Sequence, residues 1–259
     1  MSSISKNHVS IRNYKTTPLK KGLLEDIIES GLRSSSAGNM QSWTVIATTD
    51  TALKEKLYKA HYEQPMILQV PVVLTFCADF YRMRRWLKIR DAKGSFDDLT
   101  GFLTGSVDAV IAAQSIALAA EEHGLGICYM GTTLWAAKEI SHILNVPKNV
   151  VPVTSLVMGY PNESPELRDR LPLNCLLHHD KYHDYSDEDI KKIYKEREVN
   201  GWKRYMSDPE RVKMAKKFDV NNLAQYYSSD AKYGKKLHRE TSLEMLEVLK
   251  NQNFFNHND

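Results

Sequence analysis

From Val107 to Ala120 the chain runs through 14 residues of which only Asp108, Gln114 and Ser115 are polar. A run of that kind demands burial, and it is shorter than the roughly 20 residues a bilayer crossing takes. It predicts a core helix over Thr104–His123, closed by Gly124 as its C-terminal cap. A helix this apolar needs a layer to pack on, and the flanking sequence offers one. Val70–Cys77 is nearly continuous in apolar residues, the pattern of a strand buried on both faces, and Leu125–Met130 and Val151–Met158 read the same way. Trp43–Thr48, short and β-branched, supplies a fourth strand. Helices are expected over Lys20–Leu32, where Leu23, Leu24, Ile27, Ile28 and Gly31 recur at helical spacing, over Lys54–Ala60, and over Ala136–Leu144 with Pro147 beyond its end. The class is α+β, a sheet of about four strands covered by helices.

Beyond Pro161 the character changes to Lys, Glu, Asp, Tyr and His, with helical pieces and no further buried strand. Thr241 and Glu244 suggest a capping box for a last helix carrying Leu243, Leu246 and Leu249. Such an extension has too few apolar residues for its own core, so it is expected to wrap the main domain or a partner subunit.

Several functions are disfavoured. A net charge of +3 does not by itself imply a nucleic-acid partner. The N-terminal MSSISKNHVS has no apolar segment of the secretory type. Cys77, Cys128 and Cys175 lie far apart without a C-x-x-C pair, which argues against zinc or a disulfide framework and fits a reducing cytoplasm. There is no G-x-G-x-x-G after a strand, no Walker loop, no G-x-S-x-G and no H-E-x-x-H, so any nucleotide must be held by dispersed residues. His178, His179 and His183 read as a polar surface loop rather than a metal site. Arg82, Arg84, Arg85, Lys88 and Arg90, with Tyr81 and Trp86, read as a solvated face rather than a nucleic-acid stripe.

Four separated pieces carry a resemblance. They are His8-Val9-Ser10-Ile11-Arg12-Asn13-Tyr14; the Ser-rich stretch from Ser34 through Asn39 and Gln41 to Trp43; Asp108-Ala109 followed by Gly124-Leu125-Gly126-Ile127-Cys128-Tyr129-Met130-Gly131; and Gly159-Tyr160-Pro161 with Arg168-Asp169-Arg170-Leu171-Pro172. In this order and spacing, over residues 8 to 185, the chain resembles the nitroreductase superfamily, and within it the NADPH-dependent flavin-reductase branch. The resemblance implies a mostly antiparallel central sheet, an FMN-binding core over residues 1–185, and a C-terminal helical extension over 186–259 that wraps a homodimer. It implies FMN as cofactor and NADPH, or NADH, as co-substrate.

It also implies a set of contacts. His8, Ser10, Arg168 and Arg170 would surround the FMN phosphate, a dianion that calls for cationic and hydroxyl donors. Arg12 would face the N1 and C2 carbonyl edge, where positive charge stabilises the reduced ring. Ser35, Ser36, Ala37, Asn39 and Gln41 would reach the cofactor of the partner subunit, and Gln64 the pyrimidine edge. Tyr129, Met130, Gly131 and Thr132 would lie beside the ring, their backbone N–H groups near N5 and O4. No side chain need act as acid or base, because hydride transfer happens at flavin N5. A ping-pong cycle follows, with small-molecule acceptors such as nitroaromatics, quinones or free flavin and no nucleic-acid or membrane partner. The basic segment containing Lys195, Arg197, Gly201, Lys203 and Arg204, taken as a mobile loop, offers Lys203 and Arg204 for the 2′-phosphate of NADPH. The alternative is a flavin-binding carrier or sensor without reductase turnover.

Overall fold

The structure, a computed structural model, describes residues 6–257. The chain divides into two compact units: residues up to Glu166 together with those from Thr241 onward, and Leu167–Glu240.

The first unit is built on four strands, β1 (Trp43–Thr48), β2 (Val72–Asp79), β3 (Gly126–Met130) and β4 (Val150–Gly159), in the order β1-β2-β4-β3. All three pairings are antiparallel. Every residue of β2 is buried, as expected of a central strand with helices on both sides. One face carries Val72, Leu74, Phe76, Ile127, Leu156 and Met158 against α1 (Leu23–Leu32) and α5 (Leu99–Glu122). The other carries Val73, Val157, Cys128 and Met130 against α2 (Thr51–Ala60), α3 (Met66–Gln69) and α6 (Ala137–Ile143). Between β2 and α5 lies α4 (Tyr81–Ile89). The strand and helix positions expected from the sequence are found, with ends shifted by a few residues, the usual uncertainty of element boundaries.

Two expectations need correction. The apolar run belongs to a helix of 24 residues, not one starting at Thr104, because Asp98 caps it by accepting from the Gly101 N–H at 2.7 Å. At that length α5 is long and apolar enough to cross a membrane, so the length argument fails. Its place in the core rests on burial instead, with Ala109, Ala112, Ala113, Ile116 and Ala120 fully buried among residues of the sheet and α1. Gly124, at φ 73°, ends it as expected. The Thr241–Glu244 capping box does not exist, because α10 (Lys235–Asn251) runs straight through and Thr241 is buried in its interior. Its end returns Val248, Leu249 and Phe254 to a third apolar cluster with Phe80, Phe102 and Val151.

The second unit holds α7 (Asp187–Tyr205), α8 (Pro209–Lys217) and α9 (Leu223–Ser228). No strand occurs in it among the described residues. Its capping box is at Ser186 and Asp189, which opens α7. Contrary to the expectation that this stretch cannot bury a core of its own, it has a small one: Ala215, Val220, Leu223 and Tyr226 are buried, with Trp202, Tyr205 and Phe218 packed against Ala215, Val220 and Tyr226.

Candidate functional site

The first cluster forms where β3 ends. Met130 is buried, and the chain turns through Gly131–Thr133 before α6. Gly131 is exposed, and a Cβ built on it would meet nothing within 4 Å, so the turn faces open space. Gln64, in the loop between α2 and α3, reaches it from the side: its Nε2 donates to Thr132 Oγ1 at 3.3 Å and to the His61 carbonyl at 3.2 Å. Tyr129 hydrogen-bonds Gln114 through its hydroxyl at 3.3 Å, and burial first, then Glu121, pushes that phenol upward.

The N-terminal segment lies along β3, with Ile11 N–H donating to the Ile127 carbonyl at 2.9 Å and Tyr14 N–H to Gln69 Oε1 at 3.1 Å. It thereby places His8, Ser10 and Arg12 beside the strand that leads into the turn. His8 Nδ1 lies 2.6 Å from Glu121 Oε1, which orients its ring. Arg12 is exposed, held by Nη1 on the Ser10 carbonyl at 3.2 Å, while Glu163 takes its backbone N–H.

The Ser-rich loop forms a second cluster, and its hydrogen bonds run to α5 rather than to Gln64 or Thr132. Asp108, 1% exposed, accepts from Ala37 N–H at 3.0 Å, Ser42 N–H at 3.2 Å and Ser42 Oγ at 2.6 Å. Ser36 Oγ accepts from Gln41 N–H at 3.2 Å, and Asn39 and Gln41 both sit at positive φ, 55° and 52°. Non-glycine residues in that region are held there by their surroundings. Arg82 is part of the clamp, its Nη2 donating to the Gln41 carbonyl at 3.0 Å and the Trp43 carbonyl at 2.7 Å. The basic run is therefore not simply solvated: Arg84 also pairs with Asp97 at 3.6 Å, while Trp86 and Ile89 remain exposed. Ser35, Ser36 and Ala37 border a hollow of about 470 Å³ shared with Leu103, Val107 and Ile111 of α5.

In the second unit Arg168 and Arg170 are exposed in an irregular segment, Arg170 donating to the carbonyls of Arg168 and Asp169 at 3.3 and 3.2 Å. Lys195, Arg197, Lys203 and Arg204 do not form a loop; they lie on α7. Gly201 is what lets that helix meet α9, since a Cβ there would come within 2.4 Å of Leu223. Asp169 pairs with Arg197 at 3.2 Å and Arg204 at 3.6 Å, leaving Lys203 the more exposed member. His178 is engaged within its own loop, with Nδ1 accepting from His183 N–H at 3.2 Å and Nε2 3.1 Å from the Tyr185 hydroxyl.

Sequence reasoning missed His61 altogether and read Arg82 as part of a solvated face. The signal for Asp108 was present, because a carboxylate in an apolar helix must find donors.

The sequence profile of the nitroreductase family matches residues 6–160. The chain belongs to that family. It is an oxidoreductase, and its core is the family's α+β fold. An NADPH-dependent oxidoreductase of Staphylococcus saprophyticus is 30% identical over 194 residues, 73% of this chain and 76% of that protein. The crystal structure of a Bacteroides fragilis protein matches at TM-score 0.88 and 38% identity, covering 97% of this chain and 99% of the other. An NADPH:FMN oxidoreductase from Vibrio harveyi, solved in complex with NAD+, matches at TM-score 0.77 and 25% identity, covering 96% and 95%.

Proposed function

We propose that this nitroreductase-family chain is an FMN-dependent oxidoreductase working in the cytoplasm as a homodimer. It draws hydride from NADPH in preference to NADH and delivers it to nitroaromatics, quinones or free flavin in a ping-pong cycle. The observation that carries the reading is the convergence of Gln64 and Thr132 beside the open face of Gly131. A flat ring with a polar edge fits such a place, since the small residue leaves room for close approach and the side chains supply hydrogen bonds.

When bound, FMN supplies the hydride acceptor and donor at its N5. Gln64 and the Tyr129–Thr132 stretch would hold the ring, and Arg12 would contribute positive charge that favours its reduced form. His8, Ser10, Arg168 and Arg170 would hold the phosphate through charge-assisted bonds. Lys203 and Arg204 would meet the 2′-phosphate of NADPH.

The dimer is supported by α5. Leu103, Val107, Val110 and Ile111 leave an apolar stripe exposed on this helix, Val107 by 58%. Exposed apolar patches of this kind mark interaction surfaces, and a closed two-fold assembly is the usual way to cover one. Ser35, Ser36 and Ala37 of the Ser-rich loop border that stripe, which supports the reading that Ser35, Ser36, Ala37, Asn39 and Gln41 serve the other subunit's cofactor. The cytoplasmic assignment draws support from the thiols of Cys77, which is buried, and Cys175, which is partly so, both of them free.

The test is the absorption spectrum of the freshly purified protein. A yellow protein that bleaches with NADPH under anaerobic conditions and recolours with a nitroaromatic supports the proposal. A yellow protein that NADPH leaves unbleached is the carrier or sensor instead. A colourless protein that takes up no FMN refutes both.

A further inference from the structure

Behind the Gly131–Thr132 turn sits a histidine that neither the sequence pattern nor the family motifs assign. His61 is fully buried at the end of α2, its Nδ1 2.7 Å from Thr132 Oγ1. Its Nε2 is buried with no hydrogen-bond partner among the described residues. The two residues that follow, Tyr62 and Glu63, both hold positive φ, 56° and 57°. Successive non-glycine residues in that region are strained and persist where the surroundings fix them. Here they fold the loop so that Gln64 comes back onto the same threonine oxygen.

Counting protons gives the consequence. Burial, the one cause acting on it, pushes the imidazole down to about 4, so near neutral pH the ring has one N–H and one lone pair. A hydrogen on Nε2 would be a buried donor with no acceptor, the rarer and costlier kind of orphan. With the hydrogen on Nδ1, that nitrogen donates to Thr132 and the orphan is only a lone pair. Thr132 Oγ1 then accepts twice, from His61 and from Gln64, which fills both of its lone pairs. Its own O–H can only donate to something else, and the open side is the one above Gly131.

We infer that His61, locked in its Nδ1–H form, positions Thr132 as a dedicated hydrogen-bond donor to a carbonyl oxygen or ring nitrogen of the bound flavin's pyrimidine edge. The inference rests on the flavin reading above and deepens it. Reduction adds electron density to that edge, so a fixed donor there strengthens binding of the reduced ring more than of the oxidised one. His61 touches no reactant and acts only through Thr132.

Two measurements test it. The ¹⁵N shifts of His61 in the unmodified holoprotein report its tautomer directly, and Nδ1 is expected to be the protonated nitrogen. Hydrogen on Nε2 would mean that Thr132 spends its proton on the histidine, which overturns the inference whatever the flavin does. The midpoint potential is then read in Thr132→Val, His61→Leu and His61→Asn. The first two should each lower the ratio of reduced to oxidised flavin affinity about tenfold, or about 30 mV for two electrons, and the double variant should lose no more than either alone. His61→Asn keeps an N–H at the Nδ1 position and should restore the parent potential. Unchanged potentials in a protein that still binds and reduces flavin overturn the inference and leave the function standing. A protein that takes up no flavin overturns both.

Discussion

Asp108→Asn changes one atom in the place where the core helix meets the Ser-rich loop. The native carboxylate can only accept, and it takes three hydrogens, one from Ala37 and two from Ser42. Asparagine must turn an NH₂ toward one of these groups. Ser42 is 1% exposed whereas Ala37 is exposed, so the amide should give its oxygen to Ser42 and face Ala37 with its nitrogen. One partly covered N–H loses its acceptor, at about 1 kcal/mol, and the Ser42 bonds lose their charge assistance, at about 1 kcal/mol more. Asp108→Ala strands all three donors and opens a small void, for about 4 kcal/mol. Urea unfolding at equal protein concentration near neutral pH should therefore rank parent, Asn and Ala at intervals of about 2 kcal/mol. Because the stranded group is Ala37, flavin retention should fall in the Asn variant by more than its modest instability accounts for. Equal stabilities for the two variants, or losses below about 0.5 kcal/mol for both, would show that the carboxylate does not tether the loop.

His61 makes stability depend on pH. Its folded value near 4 lies below the unfolded 6.5, so the unfolded chain takes up the proton first and stability falls as pH drops below about 6.5. About 2 kcal/mol should disappear between pH 7 and 5, and His61→Asn should remove that part of the slope in a pH series of urea midpoints. Arg170→Ala should weaken FMN retention at least tenfold with the fold intact; a variant that purifies with a full complement of flavin removes Arg170 from the phosphate. Neutralising Lys203 and Arg204 together should raise KM for NADPH and spare NADH, with the larger share from Lys203 because Arg204 is already tied to Asp169. Equal effects on both donors would leave the 2′-phosphate unread by α7. Val107→Lys, placed in the exposed stripe of α5, should convert a dimer to monomer in sedimentation, and an unaltered dimer would put the interface elsewhere.

Most of the sheet was legible because β2, β3 and β4 appear as near-continuous apolar runs, while β1 at the edge, only partly buried, showed itself as a short β-branched stretch. Val72–Asp79 and Val150–Gly159 need no partner information to be recognised. The end of α5 was legible through Gly124, but its start was not. The first two turns, Leu99 to Ser106, mix Thr, Gly and Ser with the apolar residues, and the Asp98 cap shows itself only in three dimensions. Thr241 illustrates the reverse error, a capping pattern that tertiary packing overrides by continuing the helix across it. At the candidate site, Gly131 could be named from the order of the motif pieces and Gln64 from the family resemblance. His61 could not, since a histidine in a loop carries no pattern until burial removes its solvent and a threonine 71 residues away supplies its hydrogen bond. Arg82 was hidden in a basic run whose other members are mostly solvated, and nothing in composition separates one arginine bound to backbone carbonyls from its neighbours.

The two groups of candidate residues attach to opposite sides of one sheet. Asp108 ties Ser35–Gln41 to the α5 side, whereas His61 hangs Gln64 and Thr132 on the side of α2, α3 and α6. Under the proposed function, one ring-sized ligand resting at Gly131 would therefore be approached by only one of these groups from within a single chain. The Ser-rich loop, however, borders the helix face that leaves Leu103, Val107 and Ile111 in water. Covering that face with a second copy would bury the stripe and carry each loop onto the other chain in the same step. Two-fold symmetry makes the exchange reciprocal, so both sites are completed or neither is. In the proposed dimer α5 has three duties along its length: its small residues pack the core, Asp108 holds the loop, and the outward stripe would determine whether the loop meets a cofactor. On that proposal, the large aliphatic side chains that this helix leaves exposed in the isolated chain are the ones a second copy would cover.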